Sequence, residues 1–238
     1  MIFVSSWDDG HPFDERLGEL LQRHGFKGTF FVPLRNREGL PVIDARALRT
    51  LAVSHEVGSH TLDHVYLRGL PEQRVRQQVC EGREQLQSLL GRPVAGFCYP
   101  GGQIDETAVR VVREAGFGYA RSVENLVTAM PTHRYRLATT LQMFPHSAPV
   151  LANNLLRYPH RMRKAALLAR LLAGRSLGER LRIAASYARR RSGVLHIWGH
   201  SWELERHDLW VTLDQFLRWV SELAPKSMSL TELMNECA

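Results

Sequence analysis

Residues 6–10 read Ser-Trp-Asp-Asp-Gly and follow the apolar run Ile2-Phe3-Val4 directly. Two adjacent carboxylates at the end of a buried strand repel each other and are poorly solvated, so a metal ion or a shared proton is the usual resolution. The glycine behind them suits a sharp exit from the strand. Downstream, His60-Thr-Leu-Asp-His64 carries two imidazoles four residues apart, and His200 supplies a third after the apolar run Val194–Trp198. On one helical turn the four-residue spacing puts both rings on the same face, close enough to share a cation. One carboxylate with two imidazoles is a three-ligand set of the kind that hydrolytic zinc enzymes leave open for water. A divalent cation there lowers the pKa of its water and polarises a carbonyl. The second carboxylate is then left as general base, and His200 can protonate a leaving amine as general acid.

These groups need a scaffold that brings strand ends together. Phe13, Leu17, Leu20 and Leu21 recur at helical spacing up to Gly25. Thr29–Val32 is β-branched and aromatic and reads as a strand stopped by Pro33. A short helix over 44–54, a long helix over 71–90 closed by Gly91-Arg-Pro93, a strand over 94–99, a helix over 105–115 and a strand over 118–122 follow. Strand–helix alternation predicts an α/β fold with a parallel sheet, closed or nearly so, whose loops share one rim. Asp8 and Asp9, the two-histidine segment and the Pro100-Gly101-Gly102 turn each follow a strand, and the C-terminal rim is where such barrels collect their chemistry. The pattern breaks near 139–193, where two helices over 162–172 and 177–190 predict a basic helical insertion at about 145–192, and resumes with the strand ending at His200.

At 238 residues and 44% hydrophobic, the chain can bury a sizeable core in one domain spanning 1–238, with no linker, repeat or low-complexity stretch. Three cysteines, Cys80, Cys98 and Cys237, do not form a disulfide pattern. The first residues have no basic n-region, and Asp8 and Asp9 interrupt the apolar run at once. No signal peptide or membrane span is therefore expected, and a soluble, cytoplasmic enzyme fits. The net charge of +7 is uneven: residues 157–191 hold eleven Arg/Lys against the single acid Glu179, a local balance of +10 that leaves −3 for the rest. A solvated basic face would account for this. So would a platform for an anionic group, either a sugar-linked diphosphate or an acidic membrane leaflet. No nucleic-acid recognition motif accompanies the charge, and nucleic acid is not expected as a partner.

Taken together, Ser-Trp-Asp8-Asp9-Gly, His55-Glu-Val-Gly-Ser-His60-Thr-Leu-Asp-His64, Phe97-Cys-Tyr-Pro100-Gly-Gly and Leu195-His-Ile-Trp-Gly-His200 resemble, in order and spacing, the polysaccharide deacetylases that share the NodB homology domain, akin to carbohydrate esterase family 4. The first two segments match closely and the third in part; the resemblance runs from the first strand to about Leu204, outside the insertion. It implies a distorted, incomplete (β/α) barrel, with one divalent metal ion, zinc first among the options, on Asp9, His60 and His64. Asp8 would be the catalytic base and His200 the catalytic acid. The loop Tyr99-Pro100-Gly101 would line the substrate, with a backbone N–H there stabilising an oxyanion. The implied reaction is hydrolysis of an N-acetyl group on an amino sugar. A lipid- or nucleotide-linked saccharide intermediate of polysaccharide or glycoconjugate assembly is the substrate expected, and phosphate on it would suit the basic stretch.

Two positions depart from the family's pattern. Cys98 stands where an Arg usually braces the base, and Gly101 stands where an aromatic is usual, which widens the expected cleft. Arg121, just after a later strand, could supply the missing guanidinium from another direction, or lie on the surface. Trp202 could be a sugar-stacking wall or core packing. His11 reads as a loop residue near the cleft, Asp63 as an exposed or ligand-orienting acid, and Cys98 as a buried strand residue with no neighbouring His to activate it. The same metal, base and acid would also serve a formamide or cyclic amide, and the altered third motif leaves room for a non-catalytic carbohydrate-binding relative.

Overall fold

In a computed structural model, which describes residues 1–157 and 161–237, the chain winds parallel strands and helices alternately. Strand β1 (Ile2–Asp8) leads to α1 (Asp14–Arg23), β2 (Thr29–Val32), α2 (Ala45–Ser54) and β3 (Glu56–Ser59). A helical run follows, α3 (Glu72–Arg76) and α4 (Gly82–Leu90), then β4 (Gly96–Cys98), α5 (Glu106–Glu114) and β5 (Tyr119–Arg121). The second half holds β6 (Leu141–Gln142), α6 (Ala148–Arg157), α7 (Arg161–Leu171), α8 (Leu177–Arg190) and β7 (Val194–His200). It ends with α9 (Ser201–Arg206), α10 (Trp210–Ser221), β8 (Lys226–Ser227) and α11 (Leu230–Glu236).

The sheet runs β5-β4-β3-β2-β1-β7-β6, every pairing parallel, with β8 added beside β1. This is the distorted, incomplete (β/α) barrel expected. The gap between β5 and β6 is spanned by irregular chain rather than by a strand pair. Ala120 N–H donates to Arg134 O (2.9 Å), Leu137 N–H to Ala120 O (2.8 Å) and Thr140 N–H to His196 O (2.8 Å), so the segment between reaches from β5 to β7.

Alternation along the strands sorts residues between two cores. Phe3, Trp7, Phe30, Phe97, Leu195 and Ile197 face the helices, and Val4, Phe31, Cys98, Tyr119 and Val194 face the barrel interior. The interior is not wholly apolar. Ser6 and His196 meet there (Oγ to Nε2, 2.9 Å), and Arg121 is wholly enclosed. On the same alternation Asp8 and His200, register partners across β1 and β7, lie at one end of this interior layer.

Two local expectations differ from the structure. The run 71–90 is helical throughout but passes through a π-turn at Gln77–Glu81. An extra residue in the turn leaves a helix carbonyl without its usual donor; Gln78 O accepts instead from Leu62 N–H at 2.9 Å. The two histidines do not lie on a helix. Thr61 and His64 take left-handed backbone, φ 70° and 54°, and the segment packs as an irregular loop against α4. Its closeness requires Gly82, where an added Cβ would stand 2.9 Å from Leu62 N and from Thr61 C.

The basic helices also divide. Helix α8 buries Leu177, Leu181, Ala184, Ala185 and Ala188 and forms the crossover that adjacent parallel strands β6 and β7 need. Helices α6 and α7 are the additional elements over it. Buried Lys164 pairs with Glu124, and Arg182 lies over the Trp219 ring at 5.6 Å. Residues 158–160 of the basic stretch lie outside the described residues. Among the described residues, no helix is long and apolar enough to cross a membrane.

Gly82→Ala pushes a methyl group into backbone, which cannot give way as a flexible side chain can. The expected loss is about 1–3 kcal/mol of stability, the scale of an overpacked site, measured by urea unfolding. A loss below about 0.5 kcal/mol would show the contact to be loose.

Candidate active site

Asp8 is the last residue of β1, and the chain turns sharply beyond it. Asp9 has φ 76° and Gly10 φ 58°, and a Cβ on Gly10 would lie 2.6 Å from Val32 Cγ1. A non-glycine residue in this region costs of order 1–3 kcal/mol and persists only where its surroundings enforce it. The turn sends the two carboxylates different ways. Asp8 points into the barrel: its Oδ1 accepts from Arg121 Nη2, and its Oδ2 lies 3.7 Å from Cys98 Sγ. Asp9 faces the histidines, with Oδ1 3.0 Å from His64 Nε2 and 3.6 Å from His60 Nε2, while Oδ2 accepts from Trp202 Nε1 at 2.9 Å.

Arg121 therefore sits where the missing guanidinium is needed. Its side chain is 0% exposed, it also donates to Ser122 O at 3.2 Å, and its guanidinium lies 4.9 Å from the Trp198 ring and 5.4 Å from Phe31. β4 and β5 are paired with Cys98 opposite Arg121, so the small thiol leaves room for the longer side chain from the next strand. Burial, the largest single influence, would raise the Asp8 carboxyl; the Arg121 charge and hydrogen bond, together with the His60 and His200 imidazoles, outweigh it and hold Asp8 below its ordinary value. Burial pushes the Cys98 thiol well up, so it stays protonated and is no nucleophile.

Asp9, His60 and His64 fit a divalent cation. Their ligand atoms all lie within 4.8 Å of one another, and all three residues are buried. His60 Nδ1–H donates to Cys98 O at 2.8 Å, which fixes the tautomer and turns the Nε2 lone pair towards Asp9. Burial holds His60 down at about 4, so it is neutral, the form a ligand needs. His64 Nδ1 is buried without a hydrogen-bond partner, and the nearest acid, Glu38 Oε1, stands 3.7 Å away. A second group, Asp8, His60 and Cys98, is also close together. It suits a cation less, because Arg121 already occupies Asp8 and the thiol is protonated.

His200 lies across the site. Its Nδ1–H donates to Glu203 Oε2 at 2.6 Å, and Glu203 in turn accepts from Gln142 Nε2 at 3.2 Å. Burial alone would lower the imidazole; the Glu203 hydrogen bond and the charges of Asp9, Glu203 and Asp8 raise it to about 9. Sequence order alone names Glu203 only as a neighbour, yet three residues along a helix is contact distance.

The remaining expectations are redistributed. Tyr99 is fully buried, its OH donating to Tyr135 O at 3.1 Å and its N–H to Arg121 O at 3.2 Å, and Pro100 is buried too. Of the expected substrate loop only Gly101 is exposed, so the turn presents backbone rather than the Tyr99 ring. Nor does Gly101 open the cleft. A Cβ there would lie 2.8 Å from Tyr66 Cε1, so the half-exposed Tyr66 ring fills the space an aromatic at 101 would take. No pattern in the sequence marks Tyr66. Trp202, expected as a sugar wall or as packing, is committed through its indole N–H to Asp9 and is partly exposed beside the His200 ring. Trp198 packs inside against Arg121, and its Nε1 donates to Asn125 Oδ1 at 2.8 Å. His11 is buried and accepts from Phe13 N–H at 3.2 Å. Asp63, expected at the surface or orienting a ligand, is buried and points to Arg35 and Gln78. Asp14 was not foreseen: it is 0% exposed, neither carboxyl oxygen has a partner of good geometry, and burial pushes it well up.

A parallel half-barrel with two carboxylates and three imidazoles on its C-terminal rim defines the class: a (β/α) barrel whose rim carries groups that could hold a metal ion. A family profile described as polysaccharide deacetylase matches residues 2–120, and the chain belongs to that family. A peptidoglycan-N-acetylglucosamine deacetylase of Bacillus cereus is 24% identical over 118 residues, 49% of this chain and 54% of that protein; the chain thus spans about half of that relative's length. In fold the chain is similar to a family 4 acetyl xylan esterase from Clostridium thermocellum in complex with a cobalt ion, with TM-score 0.61, 17% identity, and coverage of 99% of this chain and 91% of that one. It is also similar to a carbohydrate esterase family 4 pseudoenzyme from Bacillus anthracis, with TM-score 0.60, 14% identity, and coverage of 98% and 65%.

Removing the Arg121 charge leaves Asp8 buried and unpaired, for which the scale is about 3–5 kcal/mol. Arg121→Met is expected to lose that much stability in urea unfolding, and Asp8→Asn in the same chain to recover most of it. Equal losses in the single and double variants would sever the link.

Proposed function

We propose that the chain is a metal-dependent hydrolase that removes the N-acetyl group from an amino sugar. The observation that carries this is the division of the two adjacent carboxylates, one turned to two histidines and the other paired with buried Arg121 in register with His200. Asp9, His60 and His64 are the proposed ligands, and zinc suits a set of two imidazoles and one carboxylate. A divalent cation held there would acidify water and polarise the acetyl carbonyl, which a carboxylate as weakly basic as Asp8 requires of its proton donor.

In this reading Asp8 Oδ2, the oxygen not paired with Arg121, takes the proton as water adds to the carbonyl carbon. Arg121 is a positioning residue that favours the ionised carboxylate and occupies Oδ1, leaving Oδ2 to the weak Cys98 thiol contact and the incoming proton. His200, protonated at neutral pH, gives its proton to the amide nitrogen as the C–N bond breaks, releasing acetate and the free amine. Glu203 holds the His200 ring and favours its charged form. Trp202 orients Asp9 from outside the ligand set, and Tyr66 with the Gly101 backbone forms the wall the sugar meets. The acceptor proposed is a lipid- or nucleotide-linked saccharide intermediate. Leu156, Met162 and Leu172, exposed along the basic stretch, make an anionic membrane surface part of the same proposal.

The test is acetate release from N-acetylglucosamine oligomers by the zinc-loaded protein, with Asp8→Asn as control. Wild type should release acetate, and Asp8→Asn should fall by about 10²–10⁴, the range for a lost general base. Stripping the metal should abolish turnover and zinc restore it. Metal binding with no acetate release would move the reaction to another amide, and no bound metal would leave a carbohydrate-binding relative.

A raised His200 also makes pH predictions. Its stabilising contribution is fully present below the unfolded value of about 6.5 and is lost as pH rises through about 9. Turnover should fall over the same alkaline range as the acid is lost. Glu203→Gln should bring that limb down by about one unit or more, the scale of a lost charge-assisted hydrogen bond. A profile unmoved by Glu203→Gln would remove His200 as the acid.

A further inference from the structure

A cavity of about 520 Å³ lies against the two-histidine loop, lined among others by Arg35, Arg37, Asp63, Arg74, Gln77 and Glu81. This is within the size range of small-molecule sites. Asp63 is buried at its base and accepts from Arg35 Nε (2.7 Å), Gln78 Nε2 (2.7 Å), Arg37 Nη2 (3.4 Å) and Arg74 Nη2 (3.5 Å). One carboxylate thus meets three guanidinium groups. With Glu81 at the edge the lining holds three guanidinium groups against two acidic side chains, a surplus of positive charge.

The donors outnumber the acceptors as well. Each guanidinium carries about five N–H groups, and a carboxylate offers about four lone-pair sites, one of which Gln78 takes. The Arg35 and Arg37 side chains stay 63% and 60% exposed although they are paired, so most of their N–H groups face open space. Convergent guanidinium groups with unused donors match the oxygens of a phosphoryl group in charge and geometry.

A second, independent feature is the π-turn at Gln77–Glu81, a distortion that occurs disproportionately at functional sites. It carries Gln77 and Glu81 to the cavity, while Gln78 reaches Asp63 from inside. The arginine loop is also bonded to the main chain of the two-histidine segment: Leu34 and Arg35 N–H both donate to Leu62 O, at 3.1 and 3.0 Å. An anion held by Arg35 and Arg37 would therefore keep a fixed place relative to His60 and His64.

We propose that this cavity is a phosphate subsite, taking the phosphoryl oxygens of a sugar phosphate or diphosphate whose N-acetyl group is presented to Asp8 and His200. Its role in catalysis rests on the deacetylase reading, but its capacity to bind the anion does not.

The experiment is calorimetric titration of the zinc-loaded protein with inorganic pyrophosphate and, separately, with UDP-N-acetylglucosamine. Arg37→Ala and Arg74→Ala should each weaken pyrophosphate binding at least about tenfold, the scale of one lost charge-assisted contact. Arg16→Ala, which removes an exposed arginine paired with Glu205, should leave it unchanged. Both variants sit at the surface end of the cluster and leave Arg35 and Gln78 on Asp63, and thermal unfolding checks that each is folded. Tighter binding of the sugar nucleotide assigns the subsite to the substrate, and equal binding assigns it to free phosphate; both support it. No binding by wild type, or equal binding by the arginine variants as when pyrophosphate is drawn only to the cation, overturns it. Arginine-dependent binding without acetate release would remove the deacetylase reading alone, and acetate release without it would remove the subsite alone.

Discussion

The enclosed ion pair between Arg121 and Asp8 is the interaction on which the rest of the site depends. A guanidinium and a carboxylate removed from water each carry a desolvation penalty of several kcal/mol, offset only when their geometry is good. Here the aromatic faces of Trp198 and Phe31 and the carbonyl of Ser122 line the cation, while its Nε–H is buried without a hydrogen-bond partner among the described residues. The pair decides what Asp8 is. Without it, only the His60 and His200 imidazoles would oppose the effect of burial, which raises the carboxyl. With it, Asp8 stays ionised, and its second oxygen has only the weak Cys98 thiol as a partner. Cys98 belongs to the same arrangement, because a side chain as large as arginine at that point would compete for the space Arg121 occupies.

Around this pair, the two-histidine loop is held from three sides by main-chain contacts. Cys98 O fixes His60, Gln78 O takes Leu62 N–H, and the bare face of Gly82 admits Thr61 and Leu62. Main-chain contacts are stiff, and they allow Thr61 and His64 to persist in left-handed conformations that isolated residues avoid. The same loop turns Asp63 away from the ligands into a basic cavity, so ligand geometry and charge next to it share one support.

His200 is governed by a different balance. Its neighbours are acids, and Glu203, fixed by Gln142 from β6, keeps the imidazole charged despite burial. The base and the acid of the proposed reaction are therefore set oppositely by a cation beneath one and an anion beside the other. Separating two groups in this way lets both hold their working protonation state at one pH.

How much of this the chain states on its own follows from the range of the forces. Strand–helix alternation and the strand ends at Asp8 and His200 are legible because apolar periodicity and residue type are local properties. The choice of Asp9 over Asp8 as companion of His60 and His64 rests instead on the family resemblance. The short helix expected over 44–54 is found at Ala45–Ser54, where the Asp44 carboxylate accepts from the N–H groups of Arg46 and Ala47. The helical turn read into His60–His64 fails because packing on Gly82 overrides local spacing. Tyr66 over Gly101, Trp202 on Asp9 and the arginines around Asp63 are invisible in the chain, because each joins elements whose separation says nothing about contact. Arg121 stands between the two cases. A free guanidinium after a strand could be noted, but only the pairing of β4 with β5, Cys98 opposite Arg121, decides that it turns inward to a buried carboxylate and not outward to water.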